Sequence, residues 1–346
     1  MDLESLYEKV EKNIAKLDFA DIWPGFAPLK FALFDSEKCY FNGKYVEKTA
    51  AFCANTSIVY EGEQIATWMV AEELESAVLA SKIVHEMFHG YQSLSGWNCW
   101  PDEIEALFEY EYDAENLGVK LYENELLLML LDRFDRETFE KLLSLRKYRM
   151  EKFPYQFAYE TKTEEIEGSA NYVEWKALEQ LDARKAEKFK ADMRAVMTSP
   201  GRLFPIRISC YYTGALIINA LIRAGVYSFD TPDRPFILSL LKGSEISGGG
   251  SGRTEELVRA AARAKAEFES GSESIVDTAL AQNDIVLNGP LELVYVNIYN
   301  ARRCKEYITS TFFLMYRDCE GDKMIPGNFV IKMRGEKTIE TVYRWK

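Results

Sequence analysis

Basic residues are outnumbered by acidic ones in this sequence. Its 42 lysines and arginines stand against 55 aspartates and glutamates, which gives a formal net charge of −13. Proteins that bind nucleic acid present a basic face to the phosphates, so the charge balance argues against a nucleic-acid partner. The acidity is better explained by a solvated surface that keeps the protein in solution.

Long apolar runs are also missing. The longest, at 126–131 and 215–218, fall far short of the roughly 20 residues that a membrane-spanning helix needs. The chain starts MDLES, with neither a basic segment nor an apolar run, so no signal peptide is visible. We therefore predict no membrane span and expect a cytoplasmic location.

Cysteines are present but never closely spaced. They are Cys39, Cys53, Cys99, Cys210, Cys304 and Cys319. None belongs to a C-x-x-C pair, which argues against a cysteine zinc site. Reduced and mostly buried thiols are expected rather than a disulfide framework.

Histidine is rarer still, and both copies fall in one motif. His85 and His89 lie four residues apart in the stretch VHEMFHG and are the only two histidines of the chain. On a helix this spacing places both imidazoles on one face, where they can bind one metal ion. Glu86 follows the first histidine and can take a proton from a water at the metal. This HExxH pattern is typical of zinc metallopeptidases.

The third ligand has to come from another residue type. A catalytic zinc usually has three protein ligands and one open position for water, and no third histidine exists here. The ligand is therefore a carboxylate or a cysteine. One acidic segment, 102–109, offers Glu105 and Glu109; a second, 167–174, begins with Glu167.

The second segment is preferred for two reasons. Glu167, Asn171 and Glu174 share one helix face by their spacing. Gly168 lies beside Glu167, and a glycine within a helix indicates that another element approaches closely.

The two motifs together resemble a known group of enzymes. HExxH at 85–89 with EGxAxYxE at 167–174 is similar to the gluzincin metallopeptidases, in particular to the NEGFAxYxE segment of the aminopeptidase N-like family. The resemblance covers about 85–214. It implies one Zn²⁺ ion held by His85, His89 and Glu167, with Glu86 as the general base. The GxMEN segment of the exopeptidases is missing and the spacing between motifs is longer, so aminopeptidase specificity is not implied.

Further residues are expected around this centre. Metal-bound histidines usually donate their other ring N–H to a carboxylate or carbonyl, and Asn171 and Glu174 are placed to accept or orient such bonds. Gluzincins generally also supply a hydroxyl or a cation to the oxyanion. Tyr211, in the segment YYTG, is similar to the Tyr-x-x-Gly segments of related proteins; Tyr212 and Arg207 are the alternatives.

The hydrophobic pattern predicts an α+β fold. With 47% hydrophobic residues over a length of 346, the chain can bury a sizeable core. We predict a small N-terminal mixed or antiparallel sheet (1–70), a mainly helical metallopeptidase core (71–245), a Gly-rich linker with a helix (246–284) and a small β-rich C-terminal unit (285–346). The last unit is expected to be separable and to carry no catalytic ligand.

The local predictions follow from periodicity and turn residues. Helices are expected at 3–17, from 72–75 to about 92, at 102–131 with a break near Gly118, and at 136–152, 164–181, 184–197, 208–224 and 254–268. Strands are expected at 30–35, 39–41, 44–46, 56–60, 65–70, 291–299, 307–317, 328–334 and 339–345. Residues 247–252 are expected to form a flexible linker, and the 65–70 strand is expected to offer a sheet edge to an extended ligand.

The sequence therefore predicts a zinc-dependent hydrolase of peptides or proteins. Two alternatives stay open: a zinc hydrolase of another substrate, and a non-enzymatic binding protein on the same scaffold. Glu86 speaks against the second, because a site that only binds metal needs no general base there.

Overall fold

Helices and strands are segregated along the chain. The computed structural model describes residues 2–230, 234–246, 248 and 254–345. Two helices precede a five-stranded N-terminal sheet, the remaining helices follow it, and a seven-stranded antiparallel sheet ends the described chain. This confirms the predicted α+β class.

Two tight hairpins and one parallel pairing build the N-terminal sheet. Its strands are β1 (Lys30–Phe34), β2 (Cys39–Phe41), β3 (Lys44–Val46), β4 (Thr56–Tyr60) and β5 (Glu63–Met69), in the order β3-β2-β1-β5-β4. β1 and β5 are parallel and the other pairs are antiparallel. Asn42 with Gly43, and Glu61 with Gly62, have the positive φ angles that two-residue hairpin turns require. Both predicted turns are therefore confirmed.

The predicted edge strand is wrong. β5 is paired on both sides, with β1 and with β4, so it cannot accept a further strand. β4 forms this end of the sheet instead. The position of a strand within a sheet depends on pairings between distant residues, which the alternation of side chains along one strand does not reveal.

The helical part carries most of the core. Its helices are α1 (Leu3–Ile14), α2 (Phe19–Ile22), α3 (Ser76–Leu94), α4 (Glu103–Glu109), α5 (Ala114–Asp132), α6 (Arg136–Lys152), α7 (Pro154–Thr163), α8 (Ser169–Leu181), α9 (Ala183–Met197), α10 (Ile206–Arg223), α11 (Phe236–Lys242) and α12 (Thr254–Gln282). The largest cluster of buried apolar side chains joins α1, the N-terminal sheet, α3, α8 and α10. No helix in the described part of the chain is long and apolar enough to cross a membrane.

The start of α3 differs from the prediction. The helix begins at Ser76, so Glu72 and Glu73 precede it and do not lie in its first turn. The amide of Val70 still donates to the carbonyl of Phe34, which extends the sheet pairing beyond β5. This pairing keeps the chain in the sheet up to Val70, so Glu72 and Glu73 lie in the connection to the helix.

The break predicted at Gly118 lies elsewhere. α4 and α5 are separated at 110–113, where the Asp113 carboxylate accepts from the amides of Glu115 and Asn116 and caps α5. Gly118 is inside α5. A Cβ there would lie 2.6 Å from a methyl carbon of Val258 on α12, so the glycine permits two helices to touch.

The helix predicted from 164 begins earlier. α7 starts at Pro154 and continues without interruption through a π-helical turn (Glu164–Gly168) into α8. Proline at a first helical position is pre-set for helix geometry, and the spacing of apolar residues does not contain this signal. α6 has the predicted bounds, and α9 and α10 differ from prediction by one or two residues.

The C-terminal part is longer in helix and richer in strands than predicted. Most of the 247–252 linker lies outside the described residues. α12 runs to Gln282, beyond the predicted end at Phe268. The sheet contains β6 (Ile285–Val296), β7 (Arg302–Cys304), β8 (Tyr307–Ser310), β9 (Phe313–Asp318), β10 (Gly321–Pro326), β11 (Phe329–Arg334) and β12 (Thr338–Arg344). The strand predicted at 307–317 is divided at Phe312, whose φ is 68°.

This C-terminal sheet packs against the helical part. Its apolar core includes Ile104, Leu107 and Phe108 of α4. Arg303 of β7 also donates to the carbonyl of Phe108 over 2.5 Å. These contacts place the β6–β7 loop beside the residues that form the site described next.

Candidate metal centre

Both histidines face one point from the buried helix α3. The apolar side chains around them, including Ile83, Val84 and Phe88, are fully buried and anchor the helix between the sheet and α8. The two Nε2 atoms of His85 and His89 lie 3.2 Å apart. The predicted helix face is therefore present.

Glu167 completes the cluster from the π-helical turn. Its Oε2 atom lies 3.2 Å from His89 Nε2 and 3.8 Å from His85 Nε2. Tetrahedral zinc with bonds of about 2.0–2.1 Å separates its ligand atoms by roughly 3.3 Å, which is close to these spacings. Two imidazole nitrogens and one carboxylate oxygen are also the donor types that a catalytic zinc uses. The residues present fit one zinc ion.

Backbone contact sets the position of Glu167. A Cβ on the adjacent Gly168 would lie 2.4 Å from Gly214 Cα on α10, so the two helices touch through glycine. This confirms the close approach that Gly168 predicted. The π-helical turn inserts one residue into the helix, a feature that is frequent at functional sites.

The tautomer of His89 is fixed by its neighbours. Gln92 uses its amide nitrogen to donate to the Ile166 carbonyl over 2.8 Å and to Ser169 Oγ over 2.9 Å. Its Oε1 must then face His89 Nδ1, which is 2.8 Å away. Because Oε1 only accepts, Nδ1 carries the hydrogen. The lone pair of Nε2 is left for a metal.

His85 has a carboxylate behind it. Its Nδ1 lies 3.2 Å from Glu174 Oε2, although the pair is not aligned as a hydrogen bond. Lys82 lies 3.4 Å from the other oxygen of Glu174. Burial would raise the pKa of Glu174, but Lys82 and His85 outweigh burial and lower it. The buried carboxylate is therefore ionised. Glu174 is thus where the sequence predicted it.

Arg207 holds the other oxygen of Glu167. Its guanidinium donates to Glu167 Oε1 over 2.5 Å and also to Glu103 of α4. The bond occupies one carboxylate oxygen and leaves Oε2 facing the histidines. Burial would raise the pKa of Glu167, but His89 and Arg207 hold it well below the usual value, so its carboxylate is an anion.

Burial acts on the pKa values of two groups of the HExxH motif, Glu86 and His85. It raises the pKa of Glu86. Among the described residues, no lysine, arginine or histidine forms an ion pair with this side chain. A carboxylate with a raised pKa suits a general base. Burial would lower the pKa of His85, yet Glu167 and Glu174 raise it to about 10.

Tyr211 lies beside the cluster. Its ring stacks on that of His85 with centroids 6.3 Å apart, and its hydroxyl is 3.4 Å from an Arg207 nitrogen. Burial and the charge of Glu167 raise the pKa of Tyr211 well above 10.0, so its hydroxyl stays protonated. Tyr212 lies instead on the side of Glu174 and Lys82. The amide of Asn171 donates to the Tyr211 carbonyl over 3.1 Å and thereby joins α8 to α10.

Four residues around the centre were not singled out in the roles they have. Gln92 could have been found, since it lies one helical turn after His89. Arg207 was considered only for the oxyanion, and its partner Glu103 not at all. Tyr299 comes from the loop after β6, and its hydroxyl is 2.9 Å from that of Tyr211. No local signal marks a residue 88 positions away.

The rival third ligands lie outside the cluster. Glu105 and Glu109 are exposed on α4, and Glu105 is near Tyr155. Among the described residues, the only other group with metal-ligand spacing is Glu160, Glu164 and Cys210. Those two carboxylates already contact buried cations: Lys120 is 2.8 Å from Glu160, and Arg146 is 2.5 Å from Glu164. We interpret that group as a buried ion-pair network.

No family model, no curated protein and no solved structure matches the chain. The site is therefore interpreted from its own chemistry.

Proposed function

We propose that the chain is a zinc-dependent metallopeptidase of the gluzincin type. The observation that carries the proposal is the convergence of three ligand atoms, from the buried His85 and Glu167 and the half-buried His89, within 4.8 Å of one another. Nitrogen and oxygen donors in this number leave a fourth position free, as in catalytic zinc sites. Zinc bound there would lower the pKa of a coordinated water and polarise a substrate carbonyl.

Glu86 is proposed as the general base. It takes the proton from the attacking water and passes it to the leaving amine nitrogen as the peptide C–N bond breaks. Its buried position and raised pKa match the task of holding a proton between these two steps. The absence of a cation partner among the described residues leaves its carboxylate available.

Tyr211 is proposed as the donor to the oxyanion. Its hydroxyl stays protonated, and Arg207 and Tyr299 keep it oriented through contacts of 3.4 and 2.9 Å. A pre-oriented donor stabilises charge that develops on the carbonyl oxygen in the transition state. Arg207 is committed to Glu167 and Glu103, which favours Tyr211 over Arg207 for this role.

The free edge of β4 favours a peptide substrate over other zinc-hydrolase substrates. β4 lies against α3, the helix that carries both histidines: a Cβ on Gly90 would be 2.7 Å from Ser57 Oγ. In a hairpin with a two-residue turn, the two residues that flank the turn, here Tyr60 and Glu63, form a hydrogen-bonded pair. Such pairs alternate along an antiparallel ladder with pairs that form no hydrogen bonds to each other, so the amides of Ser57 and Val59 point away from β5. An extended peptide can bind these amides by adding a strand.

Metal analysis of the purified protein tests the proposal directly. We expect about one zinc ion per chain in the wild type and loss of that zinc in His85→Ala, together with hydrolysis of an unfolded protein substrate by the wild type only. Ester and non-peptide amide substrates assayed in parallel would distinguish a different zinc hydrolase. Stoichiometric zinc without hydrolysis of any substrate would favour the binding protein.

A further inference from the structure

A cavity of about 270 Å³ adjoins the metal centre. It is lined by α4, the start of α10, α12 and the β6–β7 region of the C-terminal sheet and is open on one side. Arg207 lines it on one side and binds Glu167 Oε1 on the other. Arg207 therefore links the cavity to the proposed third ligand. We name it the Arg302 pocket.

The charge of the pocket is opposite to that of the chain. Its lining cations are Arg207, Lys265, Arg302, Arg303 and Lys305. Its lining carboxylates are Glu103 and Glu269. Two further carboxylates, Glu167 and Glu273, pair with lining cations from outside the lining, so five positive charges stand against four and leave an excess of one in a protein whose net charge is −13. Such a local reversal attracts an anion.

Most of these cations already have partners. Arg207 is bound by Glu103 and Glu167. Lys265 and Lys305 lie 3.6 and 3.4 Å from carboxylates of α12. Arg303 donates to two backbone carbonyls and ties β7 to α4. These four side chains stabilise the walls of the pocket.

Arg302 is different. Its guanidinium carbon lies 4.7 Å from the centre of the Phe268 ring, and that ring stacks on Phe204 with centroids 5.1 Å apart. No carboxylate in the described part of the chain forms an ion pair with Arg302, and burial lowers its pKa. An arginine stacked on an aromatic face keeps its planar edge of N–H donors free, and that edge matches the two oxygens of a carboxylate.

We propose that the Arg302 pocket binds a carboxylate of the peptide substrate, from either an acidic side chain or the C-terminus. The proposal rests on the proposed peptidase function, because it identifies the ligand as part of the substrate. The volume is at the lower limit of the roughly 300–1,000 Å³ of small-molecule sites, which suits a single side chain or terminus. Tyr110, Tyr159 and Phe268 give the pocket apolar walls for the aliphatic part of that residue.

Calorimetric binding of four matched peptides tests the proposal. The protein is the full-length, zinc-loaded Glu86→Gln variant, so that peptides bind without being cleaved. One peptide has an internal glutamate and an amidated end, a second has glutamine and a free carboxylate, a third has both carboxylates and a fourth has neither. We expect the first or second to bind about tenfold or more tightly than the fourth, as a charge-assisted bidentate bond implies. Which of the two is preferred identifies the source of the carboxylate.

Arg302→Gln should then reduce the preference to about one. Arg302→Lys, which retains the charge but lacks the planar fork, should give an intermediate ratio and serves if the glutamine variant does not fold. Arg184→Gln is the matched control, since Arg184 is exposed on α9 and outside the pocket, and should preserve the preference.

Three results would overturn the proposal: no binding of any peptide, an unchanged ratio in both Arg302 variants, or binding of inorganic phosphate with no carboxylate preference among peptides. Failure of the proposed function has a separate signature. If the wild type holds no zinc or cleaves no peptide but Arg302 still governs carboxylate binding, the pocket stands and the peptidase does not.

Discussion

Gly168 and Gly214 touch backbone to backbone, and this contact joins the turn that presents Glu167 to the middle of α10, the helix that presents Tyr211. A Cβ on Gly168 would lie 2.4 Å from the Cα and 2.8 Å from the carbonyl carbon of Gly214. Neither of these backbone atoms can yield as the end of a flexible side chain can. The geometry of the metal centre therefore depends on two residues that have no side chain.

Gly168→Ala is expected to displace the π-helical turn. The added methyl group should lower the free energy of unfolding by about 1–3 kcal/mol, as overpacking does, and should weaken zinc binding by moving Glu167. Gly201→Ala is the control, because a Cβ there meets nothing within 4 Å. Chemical denaturation and zinc titration measure both effects. Equal behaviour of the two variants would show that the glycine contact does not set the site.

Variants of the proposed ligands and of the proposed base should differ in whether they retain zinc. His85→Ala, His89→Ala and Glu167→Ala each remove one of three protein bonds to zinc and should lower zinc affinity. Glu86→Gln leaves all three bonds in place, so it should retain zinc. It removes the proton acceptor and should reduce hydrolysis by about 10²–10⁴-fold. Metal analysis and a peptidase assay on the same preparations compare the two groups.

Two further variants test the choice of the third ligand. Glu105→Ala and Glu109→Ala should retain zinc, since both side chains are exposed on α4. Loss of zinc in Glu109→Ala with retention in Glu167→Ala would move the site to α4. Full activity of Glu86→Gln would rule out the proposed role of that residue.

The buried ion-pair network predicts a loss of stability in acid. Burial would raise the pKa of Glu164, but Arg146 and Lys120 lower it below the ordinary 4.5. The unfolded chain therefore binds this proton more readily than the folded protein does. The stabilisation from Glu164 is fully present above about pH 4.5 and is lost as the pH falls through the lower folded value. Urea unfolding from pH 7 to pH 3 should show the decline.

Glu164→Gln should reduce the loss of stability between pH 7 and pH 3, and it should lower the free energy of unfolding at pH 7. It leaves the buried guanidinium of Arg146 short of one partner, which typically costs about 3–5 kcal/mol. Glu187→Gln is the control: its carboxylate is largely exposed and, among the described residues, pairs only with Lys190. It should change stability by less than about 0.5 kcal/mol. A Glu164 variant as stable as wild type would mean that the network contributes little.

Tyr299→Phe tests whether the C-terminal unit contributes to catalysis. Without the hydroxyl 2.9 Å away, Tyr211 loses one of its two orienting contacts. We expect kcat to fall by about 2- to 10-fold with zinc unchanged, a smaller loss than in Tyr211→Phe. Tyr45→Phe removes a hydroxyl from β3, at the opposite end of the N-terminal sheet from β4, and should have no effect. An unaltered kcat in Tyr299→Phe would leave the C-terminal sheet without a catalytic role.

Val59→Pro tests the edge of β4. Proline removes an outward amide without removing a bond to β5, so stability and zinc should change little while kcat/KM for peptides falls by about tenfold. Val59→Ala removes the exposed side chain but keeps the amide, and should resemble wild type. If the alanine variant shows the same loss, the side chain and not the strand edge is responsible.

Local spacing determined the parts of this protein that depend on neighbouring residues. The four-residue interval of His85 and His89 fixed a common helix face, because the helical repeat is the same in any fold. Asn42-Gly43 and Glu61-Gly62 fixed two hairpins, because tight turns require positive φ angles. Gly168 indicated close packing, although the sequence could not identify Gly214 as its partner.

Tertiary structure decided what depends on distant residues. β5 is interior because β4 and β1 both pair with it, and Gly118 stays helical because Val258 of α12 packs on it. Arg207 reaches Glu103, 104 positions earlier, and Tyr211 reaches Tyr299, 88 positions later. Neither pairing has a local signature, since side-chain contacts across a fold are selected by the shape of the whole core. The candidate histidine pair was therefore readable from its spacing, whereas the groups that orient it and the pocket beside it required the fold.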